Sequence, residues 1–434
     1  MGRGCRVEPF GDNVKYNTRM TDRPIELEKL SAQQRRELFR ALPKTDLHCH
    51  LDGSLRVATV AELANDNKIR ALADRLGYTL PEDCSERTLS RVLRPGLECK
   101  SLVEYLLPFD IICGVLQSPE TLERAAYELA QDAARENVWY LEVRFAPQRH
   151  MHDQLDGLSV LAAVDRGLAK AEREMGGRLK TGIIVCAMRH FDERIGYYHR
   201  GVREKFRYSS NKELASHCSL EVARLAAEAR RRGMTRVVAF DLAGPEENFP
   251  PGDHTEAFNE IINNLMAITV HAGEGYGPAS IKEAVTHLNT HRIGHGTRLL
   301  EGNEPELLEF LRDHRIAIEV CLTSNLQTKA VRSLDDHPLR KLLNEELRVP
   351  LCTDNRLVSG VEVTDEYVLA YDHFKLTAKE LRRIVLYGFK AAFVTYQERR
   401  RLLLAAKARL RELGLGGSWS RDEEEALAAL TGAK

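Results

Sequence analysis

The sequence predicts an α/β protein, a (β/α)8 TIM barrel with extra helices inserted after the first strand and at the C-terminus. Two observations predict this fold. Short apolar, β-branched runs alternate with longer segments rich in Ala, Leu, Glu and Arg, which indicates parallel βα units. Polar or ionisable residues also follow several of these runs. The runs number eight, enough to close a barrel: residues 44–48, 138–145, 181–188, 235–241, 267–271, 292–295, 316–321 and 349–353.

Helical segments fill the intervals between the runs. After a short helix at 30–42, which ends before Pro43, the predicted helices are 119–136, 157–174, 220–233, 278–288, 305–314 and 335–347. Residues 53–118 are too long for one connection and are predicted to add helices. Residues 190–217, rich in Tyr, Phe and Arg, are predicted to form a long loop. Three more helices, at 364–373, 377–392 and 397–413, follow the last run.

These segments predict one barrel domain over residues 31–413. Residues 1–30 are polar and lack periodicity, so we expect a flexible N-terminal arm. The GLGGSWS break at 414–420 is expected to begin a C-terminal tail, residues 414–434, that contains a short acidic helix.

Composition limits the classes of function. The chain has 434 residues, with 63 Lys and Arg against 64 Asp and Glu, which argues against a surface built to bind nucleic acid. No apolar run approaches the roughly 20 residues of a membrane helix, and the first residues show no secretory segment. The nine cysteines include no CxxC pair and are expected to be reduced thiols. We therefore expect a cytoplasmic protein without nucleic-acid or membrane partners, and no pattern indicates its oligomeric state.

Three of the apolar runs end in histidines, at positions 48, 271 and 295. His48 and His50 lie two residues apart on the first predicted strand, so their side chains share one face and could form a chelating pair. An HxH pair alone is a weak signal, since most bind nothing. His271 ends the fifth run, and Glu274 follows three residues later. A histidine at a strand end and a glutamate at a helix start are the structural alternative.

The third of these histidines and the end of the eighth run add further polar side chains. His295 lies between Gly294 and Gly296, which let the backbone turn tightly, and Asp354 with Asn355 follows the eighth run. A turn or a helix cap would explain either one alone. Together the four strand ends offer three imidazoles and one carboxylate as ligands, a set that suits Zn²⁺ and metal-assisted hydrolysis. The remaining histidine could take a proton from water, and the glutamate could give one to the substrate.

Six motifs, in this order, resemble the adenosine deaminase family of zinc-dependent barrel hydrolases: TDLHCHLDG, DLAG, HAGE, RIGHG, CLTSN and CTDN. The resemblance covers about residues 42–404, and HAGE followed by RIGHG is its most specific part. It implies hydrolytic deamination of adenosine or 2′-deoxyadenosine, small purine nucleosides, to inosine or 2′-deoxyinosine and ammonia. It also implies one Zn²⁺ per chain, with the ligands His48, His50, His271 and Asp354.

The resemblance implies roles for further residues. Glu274 would protonate the purine N1, and His295 would orient and deprotonate the attacking water. The backbone N–H of Gly244 would meet the purine N3, and Asp52 would meet the ribose 5′-hydroxyl. Phe109 would belong to an apolar helix within 106–111 that excludes water from the pocket.

Asn355 departs from the family pattern, because many members carry a second Asp there that contacts the purine N7. An amide N–H can still donate to N7, so deamination stays the expected reaction, while the purine is less firmly specified. The alternative substrate is a 5′-modified adenine nucleoside of the aminodeoxyfutalosine or methylthioadenosine kind, although Asp52 favours a free 5′-hydroxyl. The Arg and Lys residues at 194–207 belong either to a solvated surface loop or to a contact with an anionic extension of the substrate.

Three other classes compete with this interpretation. A two-metal amidohydrolase needs a carbamylated Lys on a middle strand, and residues 138–147 and 182–189 contain no Lys. A silent barrel would bind its ligand without turnover, but every inferred ligand and proton-transfer group is present. A nucleic-acid deaminase needs a P-C-x-x-C motif, which the sequence lacks.

Overall fold

Seven parallel β-strands form the centre of the computed structural model, which describes residues 25–98, 105 and 108–417. Each strand pairs with the next one along the chain. The strands are β1 Lys44–His50, β2 Val138–Phe145, β3 Lys180–Met188, β4 Val237–Ala243, β5 Ala267–Ala272, β6 Arg292–His295 and β7 Ala317–Glu319. This sequential parallel order is the topology of the predicted barrel, whose fold class is confirmed.

Residues 348–354 join β7 to β1 and close the ring, but they form isolated bridges and not the regular strand predicted at 349–353. Pro350 accounts for the difference, because it has no N–H to donate to a ladder. Its carbonyl still accepts a hydrogen bond from Val320 N at 3.0 Å. The bridges join Ala317 to Arg348, Val320 to Leu351 and Cys49 to Asp354.

Helices surround the barrel and include the additions predicted after β1 and at the C-terminus. The helix before β1 is Ala32–Ala41. Between β1 and β2 lie Val57–Asn65, Asn67–Arg75, Glu86–Val92, Pro108–Val115 and Pro119–Arg135. The later connections contain Gly157–Glu174, Tyr197–Lys205, Asn211–Arg231, Thr255–Asn263, Pro278–Thr286, Pro305–Asp313, Leu322–Gln327 and Leu339–Asn344. The chain then forms Arg356–Ser359, Val363–Phe374, Ala378–Ala391 and Tyr396–Glu412. Among the helices of the described residues, none has the length and apolar character needed to cross a bilayer.

The loop predicted at 190–217 is largely helical, so that expectation is wrong. Helix Tyr197–Lys205 lies within it, and the next helix begins at 211, where the sequence predicted 220. A reciprocal cap explains the early start. Ser210 Oγ accepts a hydrogen bond from Glu213 N at 3.2 Å, and Glu213 Oε2 accepts one from Ser210 N at 2.7 Å.

Both ends of the described chain lie against the barrel. Leu27, within the predicted arm, is 1% exposed, and Ile25 N donates to Gly414 O at 3.0 Å. Leu415, within the predicted tail, is also buried. Residues 1–24 and 418–434, including the predicted acidic helix, lie outside the described residues, and the domain boundaries stay predictions.

Helix Ala378–Ala391 approaches β1 closely through Gly388. A Cβ atom on Gly388 would lie 2.0 Å from Thr45 Oγ1, so no larger residue fits unless the helix moves away. Gly201 offers a contrast within helix Tyr197–Lys205, because nothing lies within 4 Å of a Cβ atom placed there.

We predict that Gly388→Ala lowers the free energy of unfolding by about 1–3 kcal/mol, the usual cost of overpacking. Gly201→Ala, the matched control, should raise it by up to about 1 kcal/mol, since alanine favours the helix and has room. Urea denaturation of both variants measures the difference. Equal effects would show that Gly388 is not a close contact.

Candidate active site

Four predicted ligand side chains meet at the carboxyl end of the barrel. His48 and His50 lie at the end of β1, His271 at the end of β5, and Asp354 follows the bridging segment. One ligand atom from each lies within 4.8 Å of the others. His50 Nε2 is 3.2 Å from His271 Nε2 and 3.4 Å from Asp354 Oδ1.

The backbone that closes the barrel also positions this group. Asp354 N donates to His48 O, and His50 N donates to Asp354 O, both at 2.7 Å. Asp354 has φ +60° and His295 has φ +65°, a left-handed conformation that few residues other than glycine adopt. Strained backbone of this kind is concentrated at functional sites, where the surrounding structure holds it.

Buried carboxylates orient two of the imidazoles. Glu319 Oε2 lies 2.8 Å from His48 Nδ1, and Asp241 Oδ2 lies 3.0 Å from His271 Nδ1. Each carboxylate holds a hydrogen on Nδ1, so the Nε2 lone pair is directed to the centre of the group, an arrangement typical of metal-binding histidines. His48 Nε2 is buried and has no hydrogen-bond partner within the part of the chain that the structure describes. These observations fit a metal ion held by Nε2 atoms and the Asp354 carboxylate.

The electrostatics of the group keep His48 and His50 in their metal-binding forms, whereas Asp241 raises the pKa of His271 in spite of burial. Burial lowers the pKa of His48 to about 4 and that of His50 well below its ordinary value, so both imidazoles are neutral near pH 7. Burial alone would raise the pKa of Glu319, but Arg144 and Arg292 hold it well below its usual range.

Glu274 lies beside the group with its backbone fixed on both sides. Its N–H donates to Glu246 Oε1 at 2.9 Å, and its carbonyl accepts from Arg298 Nε at 2.9 Å. Its side chain is buried, its Oε1 has no hydrogen-bond partner in the described ranges, and burial raises the pKa of the carboxyl. The protonated acid therefore persists to higher pH than that of an exposed glutamate.

A hydrogen-bond relay fixes the tautomer of His295. Leu339 N donates to His337 Nδ1 at 3.1 Å, and burial lowers the pKa of His337 to about 3. The neutral His337 ring therefore carries its hydrogen on Nε2, which donates to Asn325 Oδ1 at 3.2 Å. Asn325 Nδ2 then donates to His295 Nδ1 at 3.1 Å. The hydrogen of His295 lies on Nε2, which is 3.6 Å from Glu274 Oε2.

The residues predicted to contact the substrate are either buried or, in the case of Gly244, lie in a bend that follows a strand. Asp52 is buried, and its Oδ1, which is 4.0 Å from His50 Nδ1, has no hydrogen-bond partner among the residues that the structure describes. Asn355 is buried and donates to Tyr105 OH at 3.1 Å. Gly244 follows β4 with φ +106°. Phe109 is buried on helix Pro108–Val115, while its predicted neighbours 106 and 107 lie outside the described residues.

The adenosine deaminase family model matches residues 43–198 and 194–407, most of the chain. The chain belongs to the adenosine deaminase family. The adenosine deaminase of Mycolicibacterium vanbaalenii is 36% identical over 374 residues, covering 83% of this chain and 93% of that protein. A probable adenosine deaminase of Dictyostelium discoideum is 34% identical over 358 residues, covering 82% of this chain but 41% of that protein.

Solved structures of similar proteins agree with the fold of this family member. The Arabidopsis N6-mAMP deaminase is 26% identical, with a TM-score of 0.67, and the match covers 86% of this chain and 99% of that one. An amidohydrolase from Burkholderia ambifaria, solved with bound Zn, is 22% identical with a TM-score of 0.70, covering 93% and 96% of the two chains.

Several residues around the site of this deaminase-family chain were given no role by the sequence analysis, although Asn325 lies within the CLTSN motif. The relay pair Asn325 and His337, the clamp Glu246 and the carboxylate Glu319 all act on a predicted residue. The available signal for Glu319 was a lone charged residue within the apolar run 316–321. A charge inside a buried strand indicates a buried partner.

We predict that Glu319→Gln lowers the free energy of unfolding by about 3–5 kcal/mol, because Arg144 and Arg292 lose a shared buried counter-charge. Glu221→Gln removes the same charge from an exposed pair with Arg224 and should cost less than about 1 kcal/mol. Chemical denaturation at pH 7 checks both. A small loss at Glu319 would contradict the central role of this carboxylate.

Proposed function

We propose that this chain hydrolyses adenosine and 2′-deoxyadenosine to the corresponding inosines and ammonia. The observation that carries the proposal is the convergence of three imidazoles, one carboxylate and a buried glutamic acid at one end of a deaminase-family barrel. A metal site and a proton donor side by side are the two components that hydrolysis of an aromatic amine requires.

We assign one Zn²⁺ per chain to this site. The ligands would be His48, His50, His271 and Asp354, whose nitrogen and carboxylate donors suit this ion. When bound, Zn²⁺ lowers the pKa of water to about 7 and so supplies a nucleophile at neutral pH.

Glu274 is the proton donor in this proposal. Burial raises the pKa of its carboxyl and so favours the protonated form, and its Oε1 has no partner among the described residues. Proton transfer from this carboxyl to the purine N1 makes C6 more electrophilic. Glu246 and Arg298 hold the backbone of Glu274, so the acid needs no rearrangement to act.

His295 orients the attacking oxygen. The relay through Asn325 places the ring hydrogen on Nε2, and an N–H donor there fixes one lone pair of the oxygen and leaves another for attack on C6. This tautomer supports the orienting part of the predicted role. Removal of the water proton by Nε2 requires the other tautomer and stays a prediction.

We propose that the nucleoside is held by polar groups along the pocket. Asp52 would accept the ribose 5′-hydroxyl, Gly244 N–H would meet N3, and the second amide hydrogen of Asn355 would meet N7. Phe109 would cover the reacting ring. These assignments rest on the family motifs and on the burial of the three side chains.

A free nucleoside suits this pocket better than a 5′-phosphate. The Asp52 carboxylate would repel a phosphate, and two of the arginines of the 190–217 segment are already paired with carboxylates. Arg194 Nε lies 2.9 Å from Asp192 Oδ2, and Arg203 Nε lies 3.1 Å from Glu193 Oε1. The 5′-modified adenine nucleosides stay the alternative substrates, and the cytoplasmic location stays a prediction.

The test is chelator-sensitive loss of adenosine, compared with a 5′-modified adenosine, by ultraviolet absorbance. We expect Glu274→Gln to keep one zinc per chain and to lower kcat by about 10²- to 10⁴-fold, since the amide has the shape but not the acidic proton. The exposed Glu247→Gln is the matched control and should keep the full rate. Near-normal turnover or lost zinc in Glu274→Gln would remove the assigned role, and turnover of the 5′-modified compound alone would select the alternative.

Asn325→Asp tests the tautomer of His295. A carboxylate at this position accepts from Nδ1–H and moves the ring lone pair to Nε2. If the N–H donor orients the attacking oxygen, we expect kcat to fall on the order of ten-thousandfold, the scale known for a catalytic histidine held in the wrong tautomer. Nitrogen NMR of the histidine ring checks the tautomer itself. An unchanged or faster rate would assign His295 Nε2 as the proton acceptor.

A further inference from the structure

A large cavity lies at the opposite end of the barrel from the metal-binding group. It is lined by residues that begin the strands, among them Tyr140, Lys180, Arg292 and Ala317, and it has a volume of about 760 Å³. Because all seven strands are parallel, this is their amino end, which we call the basal cavity. It is remote from the groups used in the proposed reaction.

The walls of the basal cavity carry a large excess of positive charge. Eight Lys or Arg residues line it, against two Glu residues. Part of this charge is neutralised: Arg236 lies 3.2 Å from both Glu172 and Asp165. Arg292 is paired inside the barrel with Glu142 and Glu319. Glu398, the other acidic wall residue, pairs with Arg401 at 2.6 Å.

Five of the eight wall cations form no ion pair with any residue that the structure describes. Arg315, Arg348 and Lys390 are three of them, and Arg230 donates to the carbonyl of Val237 at 3.2 Å. Arg399 donates only to the carbonyls of Ala392 and Val394, at 3.0 and 3.2 Å, and its buried Nε has no acceptor. Like charges on a concave, partly desolvated wall repel one another more strongly than charges on an open surface.

The titration of these groups agrees with that repulsion. Burial and the neighbouring Arg315 lower the pKa of Arg348, and burial together with Arg348 lowers that of Lys390. Wall cations that disfavour each other's charge are stabilised by an anion bound between them.

We propose that the basal cavity binds a small anion that carries phosphate groups and at least two negative charges. Guanidinium groups match phosphate oxygens in geometry, donating two parallel hydrogen bonds, and the lysine adds a mobile point charge. The volume admits a diphosphate or triphosphate chain. The inference is independent of the proposed deaminase reaction, because binding is measured without turnover.

The test is calorimetric titration of the purified, metal-loaded chain with sodium pyrophosphate, at an ionic strength held constant with NaCl. We expect one site per chain, with a Tm that rises with pyrophosphate concentration. Arg348→Gln and Lys390→Gln should each weaken binding at least tenfold. Lys341→Gln removes the same charge from an exposed position on helix Leu339–Asn344 and should bind as the unmodified chain does.

Equal binding by all three variants, or no binding by the unmodified chain, overturns the proposal. If Arg348→Gln lowers the Tm of the free protein, the affinity of Lys390→Gln for pyrophosphate is the deciding result. Lys390 is exposed, and removing its charge disturbs no ion pair of the described residues. A titration with uridine triphosphate, a pyrimidine nucleotide, distinguishes a site for a phosphate chain alone from a site for a nucleotide. Affinity equal to that of pyrophosphate identifies a site for the phosphate chain alone, and tighter binding identifies a nucleotide site.

Discussion

The barrel interior is organised around the Glu319 carboxylate. It lies on β7 and accepts hydrogen bonds from four other strands: from His48 on β1, Arg144 on β2, Thr269 on β5 and Arg292 on β6. A fully buried carboxylate is costly unless it is paired and hydrogen-bonded, and here both oxygens are shared between cations and neutral donors. The same contacts that make this charge tolerable in the core also set the orientation of His48.

This arrangement joins stability to the geometry of the site. Arg144 contacts Glu319 and also Asp241, and Asp241 in turn orients His271. The Arg144 guanidinium therefore positions, through these two carboxylates, the imidazoles of His48 on β1 and His271 on β5. The hydrogen bonds between His48 and Asp354 add a third connection at the point where the ring closes. Rigid placement of this kind lowers the reorganisation needed when charge develops at the reacting centre.

The sequence predicted most of the barrel, because strands and helices in βα units differ strongly in periodicity. Strand β2 and helix Gly157–Glu174 were predicted to the residue. The prediction was wrong where one residue overrides the pattern. Pro350 interrupts the last strand, and the capping pair at Ser210 extends a helix into a polar, aromatic segment that had the composition of a loop.

For the candidate site, the sequence predicted the ligand residues but not the residues that hold them in place. Histidines at period two and beside glycines point to the end of a strand, so the four ligand-type residues could be found and do converge. The contacts that hold these residues in place could not be predicted. They involve Asn325, His337 and Glu319, which become neighbours of the site only through the spatial order of the strands. Such pairings depend on the closed ring and leave only a weak trace in the order of residues.

The left-handed backbone at Asp354 and His295 restricts how this chain can diverge. Apart from glycine, the side chains that enter that conformation most readily are Asn, Asp and His, because a short polar group can bond to the nearby backbone. β-Branched residues are strongly disfavoured at both positions, whatever their chemistry, because the left-handed region is sterically restrictive for them. The local backbone therefore favours, at both positions, residue types that include strong metal ligands and proton carriers.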